Sequence, residues 1–367
     1  MGKNSQPHNA FILASIRNFY PVEDHCPGLA PALYLSWIGP YARGRYHDMQ
    51  CTEQKMAQYL VTGGAGFIGS HLCRRLLVEG HAVRVLDDLS SGRRENLAEI
   101  ESEVECVEGD LRDEALLDEA LGGVEYVLHH AAVASVQTSI ERPLFEQEVN
   151  VVGTLRLFEA ARRAQVRRVV FAASAATYGN NPVVPKREDM LPEPESPYAI
   201  SKVAGEYYAR VYSQIHGLEV VCLRYFNVFG PRQDPFSPYS GVISIFAERM
   251  LQGAAPTIFG DGGQSRDFVY VDNVVAANMR ASTTPGIAGR VYNIGCGLSA
   301  SILDLVAALN QILGIALEPV FEPARSGDVR VSLADITRAR EELVYEPTVH
   351  FAEGLERTIA WMKSTGA

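Results

Sequence analysis

The 367-residue chain has little cysteine: Cys26, Cys51, Cys73, Cys106, Cys222 and Cys296 are its six. None forms C-x-x-C, and no Cys/His group has the spacing of a zinc site, so neither a disulfide framework nor a structural metal organises the fold. The thiols read as reduced, as expected of a cytoplasmic protein. Basic residues are also short, 33 Lys+Arg against 44 Asp+Glu, a formal charge of −11. Such a chain lacks the basic stripe that a phosphate backbone requires, which speaks against nucleic acid as a partner. No stretch approaches the ~18 uninterrupted apolar residues of a membrane span. The apolar run at 11–16 is short for a signal-peptide core and lacks a basic leader and a clear cleavage site. What is present is 47% hydrophobic and 21% charged residues with 31 Gly and 19 Pro, which excludes disorder, collagen and a coiled coil. The length allows one large domain or two fused ones.

Residues 1–55 differ from the rest, with Pro7, Pro21, Pro27, Pro31 and Pro40 among scattered aromatics and no clear periodicity. Two readings stand: Met56 is the natural start, or the segment is an extension on the surface. From Met56 the periods alternate. Strands are predicted at 59–62, 82–87, 104–107, 126–129, 168–172 and 219–224, with helices at 66–79, 113–121, 145–164 and 197–216. Short apolar strands alternating with helices mean an α/β fold with a parallel sheet covered on both faces. After Gly230 the rhythm loosens. Helices are expected at 242–252, from 271, and at 301–313, 335–342 and 351–363, with strands near 257–259 and 290–294. The expected organisation is a Rossmann-type doubly wound domain over 56–230 with a return segment at 268–297. A smaller α/β C-terminal substrate-binding domain takes 231–267 and 298–367.

Between the first strand and first helix lies Gly63-Gly64-Ala65-Gly66-Phe67-Ile68-Gly69. Glycines at 63, 66 and 69 permit a tight turn and let a pyrophosphate approach backbone N–H groups, including those of Phe67 and Ile68, at a helix N-terminus. Asp87 ends the next strand, where an acid accepts both ribose hydroxyls and repels a 2′-phosphate. The expected cofactor is therefore NAD, with Arg93 and Arg94 as a solvated turn. Asp110, with Leu111 after it, follows the third strand and is either an adenine contact or a loop acid capping the next helix. Ala131 and Ala132 end the fourth strand, as a platform for the cofactor or as simple packing.

Ser196-Pro197-Tyr198-Ala199-Ile200-Ser201-Lys202 carries the chemistry. Ser196 suits an N-cap and Pro197 the first helical position. Tyr198 and Lys202 then share one helical face. A phenol titrates near ~10 and needs a nearby positive charge to act as a base at neutral pH. Ser174, just past the strand at 168–172, lies where open parallel sheets bind ligands and can bond a substrate oxygen.

The glycine turn, Asp87, Ser174 and Tyr198-x-x-x-Lys202 together resemble the extended short-chain dehydrogenase/reductase family from about Met56 onward. Further segments are similar to its nucleotide-sugar 4-epimerases: Tyr225-Phe226-Asn227, Ser265-Arg266-Asp267-Phe268 and Arg325-Ser326-Gly327-Asp328. The resemblance implies catalysis by Ser174, Tyr198 and Lys202, and an NAD site that includes Tyr225. It implies that Asn227, Arg266, Arg325 and Asp328 grip a UDP-sugar diphosphate and ribose, arginine being the fitting type for phosphate. It also implies a 4-keto intermediate and a homodimer formed through the helices at 145–164 and 197–216. Sibling dehydratases and decarboxylases need an acid beside the catalytic hydroxyl, where this chain has Ala175, Ala176 and Thr177. Glucuronate epimerases usually carry Thr where Asn227 stands.

In the resembling epimerases the position of Ser332 walls the sugar pocket, and a small residue there leaves room for a 2-N-acetyl group. UDP-GlcNAc/UDP-GalNAc is therefore the expected substrate pair, with UDP-Glc/UDP-Gal beside it, and Ser135 is a candidate donor to the sugar. The alternatives are an epimerase restricted to plain hexoses, a dehydrogenase that releases NADH, and a catalytically silent NAD-sensing member of the fold. The silent form would be expected to lose Tyr198 or Lys202.

Overall fold

A computed structural model describes residues 56–234, 241–324 and 329–366. The expectations for 1–55, Arg325 and Asp328 lie outside the described residues. The strands are β1 (Gln58–Thr62), β2 (Ala82–Asp87), β3 (Val104–Glu108), β4 (Tyr126–His129), β5 (Arg168–Ser174), β6 (Glu219–Tyr225) and β7 (Asn227–Phe229). They continue as β8 (Thr257–Phe259), β9 (Ser265–Arg266), β10 (Phe268–Tyr270), β11 (Val291–Ile294), β12 (Ala300–Ser301), β13 (Val320–Glu322) and β14 (Val331–Ser332). Seven of them form one parallel sheet in the order β11-β6-β5-β4-β1-β2-β3. The order reverses between β1 and β4. That switch point opens a crevice at the carboxyl ends of the strands.

Alternation along the strands builds the layers. Tyr59, Val61, Val170, Ala172, Val221 and Leu223 face one buried cluster, while Leu60, Val169, Phe171, Val220 and Cys222 face another. Each fully buried Val, Leu or Phe contributes roughly 1.5–3 kcal/mol, so the central strands, buried on both faces, carry much of the stability of the fold. Helices α1 (Phe67–Val78), α2 (Glu114–Ala120), α3 (Val136–Glu141), α4 (Pro143–Gln147), α5 (Thr154–Arg163) and α6 (Pro197–Val211) come from the first part of the chain. Helices α7 (Val242–Leu251), α8 (Val271–Thr283), α9 (Ile302–Leu313), α10 (Thr337–Leu343) and α11 (Phe351–Thr365) follow.

The helix expected at 145–164 is not one regular helix. Between α4 and α5 the residues Glu148–Gly153 widen into a π-helical stretch, and α6 likewise ends in a π turn, Tyr212–His216. In the first of these, buried Asn150 turns inward and brackets Val133, accepting from its N–H (2.8 Å) and donating to its carbonyl (3.0 Å). The N-cap of α2 is Asp113, which accepts from Ala115 and Leu116, rather than Asp110. Short strands build the remaining sheets: β10 pairs β7, β9 lies between β12 and β14, and β13 pairs β8.

Candidate active site

The glycine turn is shaped to keep side chains away. Gly63 has φ +70°, and a Cβ there would meet the Ala131 nitrogen at 2.7 Å; a Cβ on Gly69 would meet the Gly63 carbonyl oxygen at 2.1 Å. Gly66 is the N-cap of α1 and supplies no side-chain cap. The first-turn N–H groups of Phe67, Ile68 and Gly69 have no intrahelical acceptor and point out of the helix, a ready site for phosphate oxygens. Asp87 is buried at the end of β2, where its carboxylate accepts from the N–H groups of Ala65 and Leu89, both at 2.9 Å. Burial pushes its pKa up and the two N–H groups pull it down. The carboxylate keeps lone pairs for ribose hydroxyls.

A small cavity beside Asp87 is lined by Ala65, Val85, Leu97, Cys106 and Val107, with Arg94 and Glu108 also on its wall. Arg93 is paired with Asp234 and Arg94 with Glu108, so both arginines already have carboxylate partners. The residues present therefore fit a dinucleotide with a free 2′-hydroxyl.

The other residues expected at the cofactor have partners within the protein. Both Asp110 oxygens are engaged by Arg112, whose side chain holds the carboxyl below its usual range. Leu111 is buried in the core. The Tyr225 hydroxyl is held by His130 (2.9 Å) and Asn278 (2.8 Å). Ala131 and Ala132 are half-buried, with Ala131 against the glycine turn.

The catalytic candidates converge at the end of β5. Ser174 is its last residue and caps the short turn Ala175–Tyr178, accepting from Ala176 N–H at 3.1 Å. Ser196 caps α6 through Ala199 N–H (3.2 Å) with Pro197 next, as the sequence predicts. One turn on, buried Lys202 donates from Nζ to the Ala172 carbonyl (2.8 Å) and lies 5.7 Å from the centre of the Tyr198 ring. Burial lowers Lys202 to about 8, against the pull of the Glu146 and Glu206 carboxylates. Tyr198 departs from expectation. Burial pushes its pKa up, the Ser174 hydroxyl lowers it, and the Glu146 carboxylate raises it further. Desolvation of the phenolate outweighs the favourable neighbours.

The substrate candidates form a second group. Ser332 on β14 stands opposite Arg266 on β9, and Asn227 on β7 stands opposite Phe268 on β10. Arg266 donates to the carbonyls of Ser265 (3.0 Å) and Val329 (2.5 Å). Ser135 is buried as the N-cap of α3, its oxygen accepting from Thr138 N–H at 2.9 Å. That bond uses one lone pair of the oxygen and leaves the hydroxyl proton to donate to a sugar.

Residues between the candidates escaped the sequence reading. Asp267 is fully buried and accepts from the N–H groups of Cys296 (2.7 Å), Gly297 (3.0 Å) and Ala334 (3.1 Å). Its own N–H donates to the Ser332 carbonyl (2.7 Å), and its carbonyl accepts from Asn227 N–H (3.0 Å). Arg224 and Glu206 form a buried two-pronged ion pair, both contacts 2.7 Å. Glu146 is buried beneath α6. The neighbour of Arg266 in its motif was the available signal for Asp267; the others depend on the topology.

The model of the NAD dependent epimerase/dehydratase family matches residues 59–295. A UDP-glucose 4-epimerase of Mycolicibacterium smegmatis is 47% identical over 314 residues, 83% of this chain and 98% of that protein. A solved UDP-glucose 4-epimerase with UDP-glucose from Thermotoga maritima has TM-score 0.81 and 41% identity, covering 84% of this chain and all of the other. The UDP-N-acetylglucosamine 4-epimerase of Methanobrevibacter ruminantium, in complex with UDP-N-acetylmuramic acid, also has TM-score 0.81. It is 38% identical and covers 85% of this chain and 99% of its own.

Proposed function

From the premise that this chain belongs to the NAD dependent epimerase/dehydratase family, where it is a UDP-sugar 4-epimerase, we propose that it inverts C4 of UDP-GlcNAc/UDP-GalNAc and accepts UDP-Glc/UDP-Gal as well. The observation that carries the reading is the cluster of Ser174, Tyr198 and Lys202 at the carboxyl end of β5. Gly63, Gly66, Gly69 and the first turn of α1 hold the dinucleotide phosphates, and Asp87 its ribose. Bound NAD would supply a reversible hydride acceptor for C4 and, in its oxidised form, a positive charge that favours the phenolate of Tyr198.

The protein's part is proton handling and grip. Tyr198 removes the proton of the C4 hydroxyl and restores it after inversion, Ser174 donates to the same oxygen, and Lys202 keeps positive charge behind the ring. Asn227, Arg266, Arg325 and Asp328 hold the UDP moiety, which leaves the 4-keto sugar free to present either face. The small Ser332 side chain supports the N-acetylated substrate, and Ser135 is available to donate to that sugar. The stretch Ala175–Thr177 contains no acid to drive elimination, which supports epimerisation over dehydration.

The test is NMR of the purified protein with UDP-GlcNAc and UDP-Glc separately, without added NAD. The C4 epimer is expected from both, with the N-acetylated sugar favoured. Stoichiometric NADH without epimer would identify a dehydrogenase instead, and no reaction at all a silent member. Conversion of UDP-Glc alone would establish the plain-hexose reading.

A cytoplasmic location and a homodimer belong to the same proposal. Among the described residues no helix is long and apolar enough to cross a membrane. Ile140, Leu144, Ile200, Tyr207, Val211 and Ile215 are exposed on α3, α4, α6 and its π turn, and 200, 207 and 211 share one face of α6. An Ile200→Glu, Val211→Glu double variant is expected to run as a monomer in size-exclusion light scattering; an unchanged mass would remove this face as the interface.

A further inference from the structure

The carboxylate of Glu146 is fully buried, yet no cation is its hydrogen-bond partner among the described residues. Its contacts are all neutral donors. The Ser201 hydroxyl reaches it at 2.7 Å and Gln147 Nε2 at 2.6 Å, and Asn150 Nδ2 also bonds it. Each donor has a second attachment. Ser201 Oγ lies 2.8 Å from the Tyr198 carbonyl, Gln147 Nε2 donates to the Pro197 carbonyl at 3.0 Å, and Asn150 brackets Val133 beyond the end of β4. One side chain thus joins the first turn of α6, which carries Tyr198, to the loop after β4. A buried charge without a paired cation is costly and persists where the surroundings over-determine it.

We infer that Glu146 is a positioning residue for the proton transfer: it fixes the Tyr198 turn through Ser201 and Gln147 and places a buried carboxylate under the helix that carries Tyr198 and Lys202. The inference rests on the reading of Tyr198 and Lys202 as the proton-handling pair. Charged and titratable groups around that pair come from several elements. Lys202 and Tyr198 lie on α6 together with Glu206, which is paired with Arg224 of β6. His129 of β4 and His130 after it act on Lys202 only if protonated, and burial holds both imidazoles neutral at working pH. Glu146 favours the charged form of Lys202 and disfavours the phenolate of Tyr198. Removing its charge while keeping its shape therefore moves both titrations the same way, toward lower pH.

The experiment compares Glu146→Gln with the wild-type holoenzyme across pH. Expected is a kcat profile whose acid and alkaline limbs both move down by about one pH unit, the scale of a nearby buried charge. With that shift, the pH optimum of kcat moves down by about one unit while KM for the UDP-sugar stays within twofold. A readout independent of turnover is the ultraviolet difference titration of tyrosinate, taken against the Tyr198→Phe form of each protein. Its midpoint for Tyr198 is expected to fall in Glu146→Gln. A profile and a titration that superimpose on the wild type, in a variant of unchanged thermal stability, overturn the inference.

If Glu146→Gln does not fold, Glu146→Asp decides. That variant keeps the charge and loses reach, so kcat drops with the limbs in place, and limbs that move would overturn the role given to the charge. Full activity of Tyr198→Phe would instead remove the underlying reading, an outcome distinct from either.

Discussion

Ser332 and Arg266 stand side by side in the register of two parallel strands, and the residue after Arg266, Asp267, donates its N–H to the Ser332 carbonyl at 2.7 Å. The small side chain expected to widen the sugar pocket is thus built into the same short sheet as the arginine expected to hold the diphosphate. A change at 332 acts beside the nucleotide grip. Ser332→Tyr is expected to lower kcat/KM for UDP-GlcNAc by at least tenfold and to spare UDP-Glc within about threefold, because a pocket wall discriminates by bulk. Steady-state kinetics with both substrates checks it. Equal losses on the two would mean that position 332 gates nothing.

Tyr198→Phe removes one oxygen at the convergence of β5 and α6. Positioned proton transfer is worth ~10²–10⁴ in rate, so kcat is expected to fall by that factor. Affinity for UDP-sugar, measured calorimetrically, should stay within a few fold.

Asp87 joins the turn after β2 to the glycine loop through Leu89 and Ala65. Asp87→Asn keeps the shape and removes the charge. A charge-assisted hydrogen bond contributes about 1.5–3 kcal/mol, so NAD should bind ten- to a hundredfold more weakly. Discrimination against NADP should narrow, since no carboxylate then repels the 2′-phosphate. Titration of the stripped protein with each dinucleotide measures both, and undiminished NAD affinity would contradict the assignment.

Asp267 gives a pH dependence of opposite sign to the usual acid. Burial raises its pKa to about 6, against the lowering effect of its three N–H donors. Between an ordinary carboxyl value near ~4 and the folded value, the native state binds the extra proton, so its contribution to stability is present at low pH and lost as pH rises through about 6. The full effect is on the order of 3 kcal/mol. Asp267→Asn should lack it. The difference in unfolding free energy, variant minus wild type, is expected to rise between pH 4 and pH 6 in urea titrations. A flat difference would show that this carboxyl does not titrate in that window.

Local patterns made much of this legible. The glycine turn, the Ser196-Pro197 start of α6 and the apolar strands each follow from contacts a few residues apart, and the sheet places them where alternation implies. Tyr198 and Lys202 share a face because four residues make about one turn. What the sequence did not disclose depends on chain crossings. Glu146 gains its meaning from Ser201, Asp267 from Cys296, Gly297 and Ala334, and Arg224 from Glu206. None of these pairings leaves a periodic trace. Strands of two or three residues, such as β9, β12 and β14, are too short to show alternation. Tyr225 was assigned by motif, and only the fold shows its hydroxyl turned toward Asn278 and His130.

The widened backbone at Glu148–Gly153 has a consequence for how this stretch can change. Each residue of a regular helix advances the azimuth by about 100°, so excising one residue here would restore ordinary pitch and turn everything on one side of the cut by that angle. Glu146 would then swing away from Ser201 if Thr154 kept its bond to His129, or the reverse. The segment is expected to absorb replacement of exposed side chains such as Val152 while refusing any change in length, a bias that insertion and deletion scanning would expose.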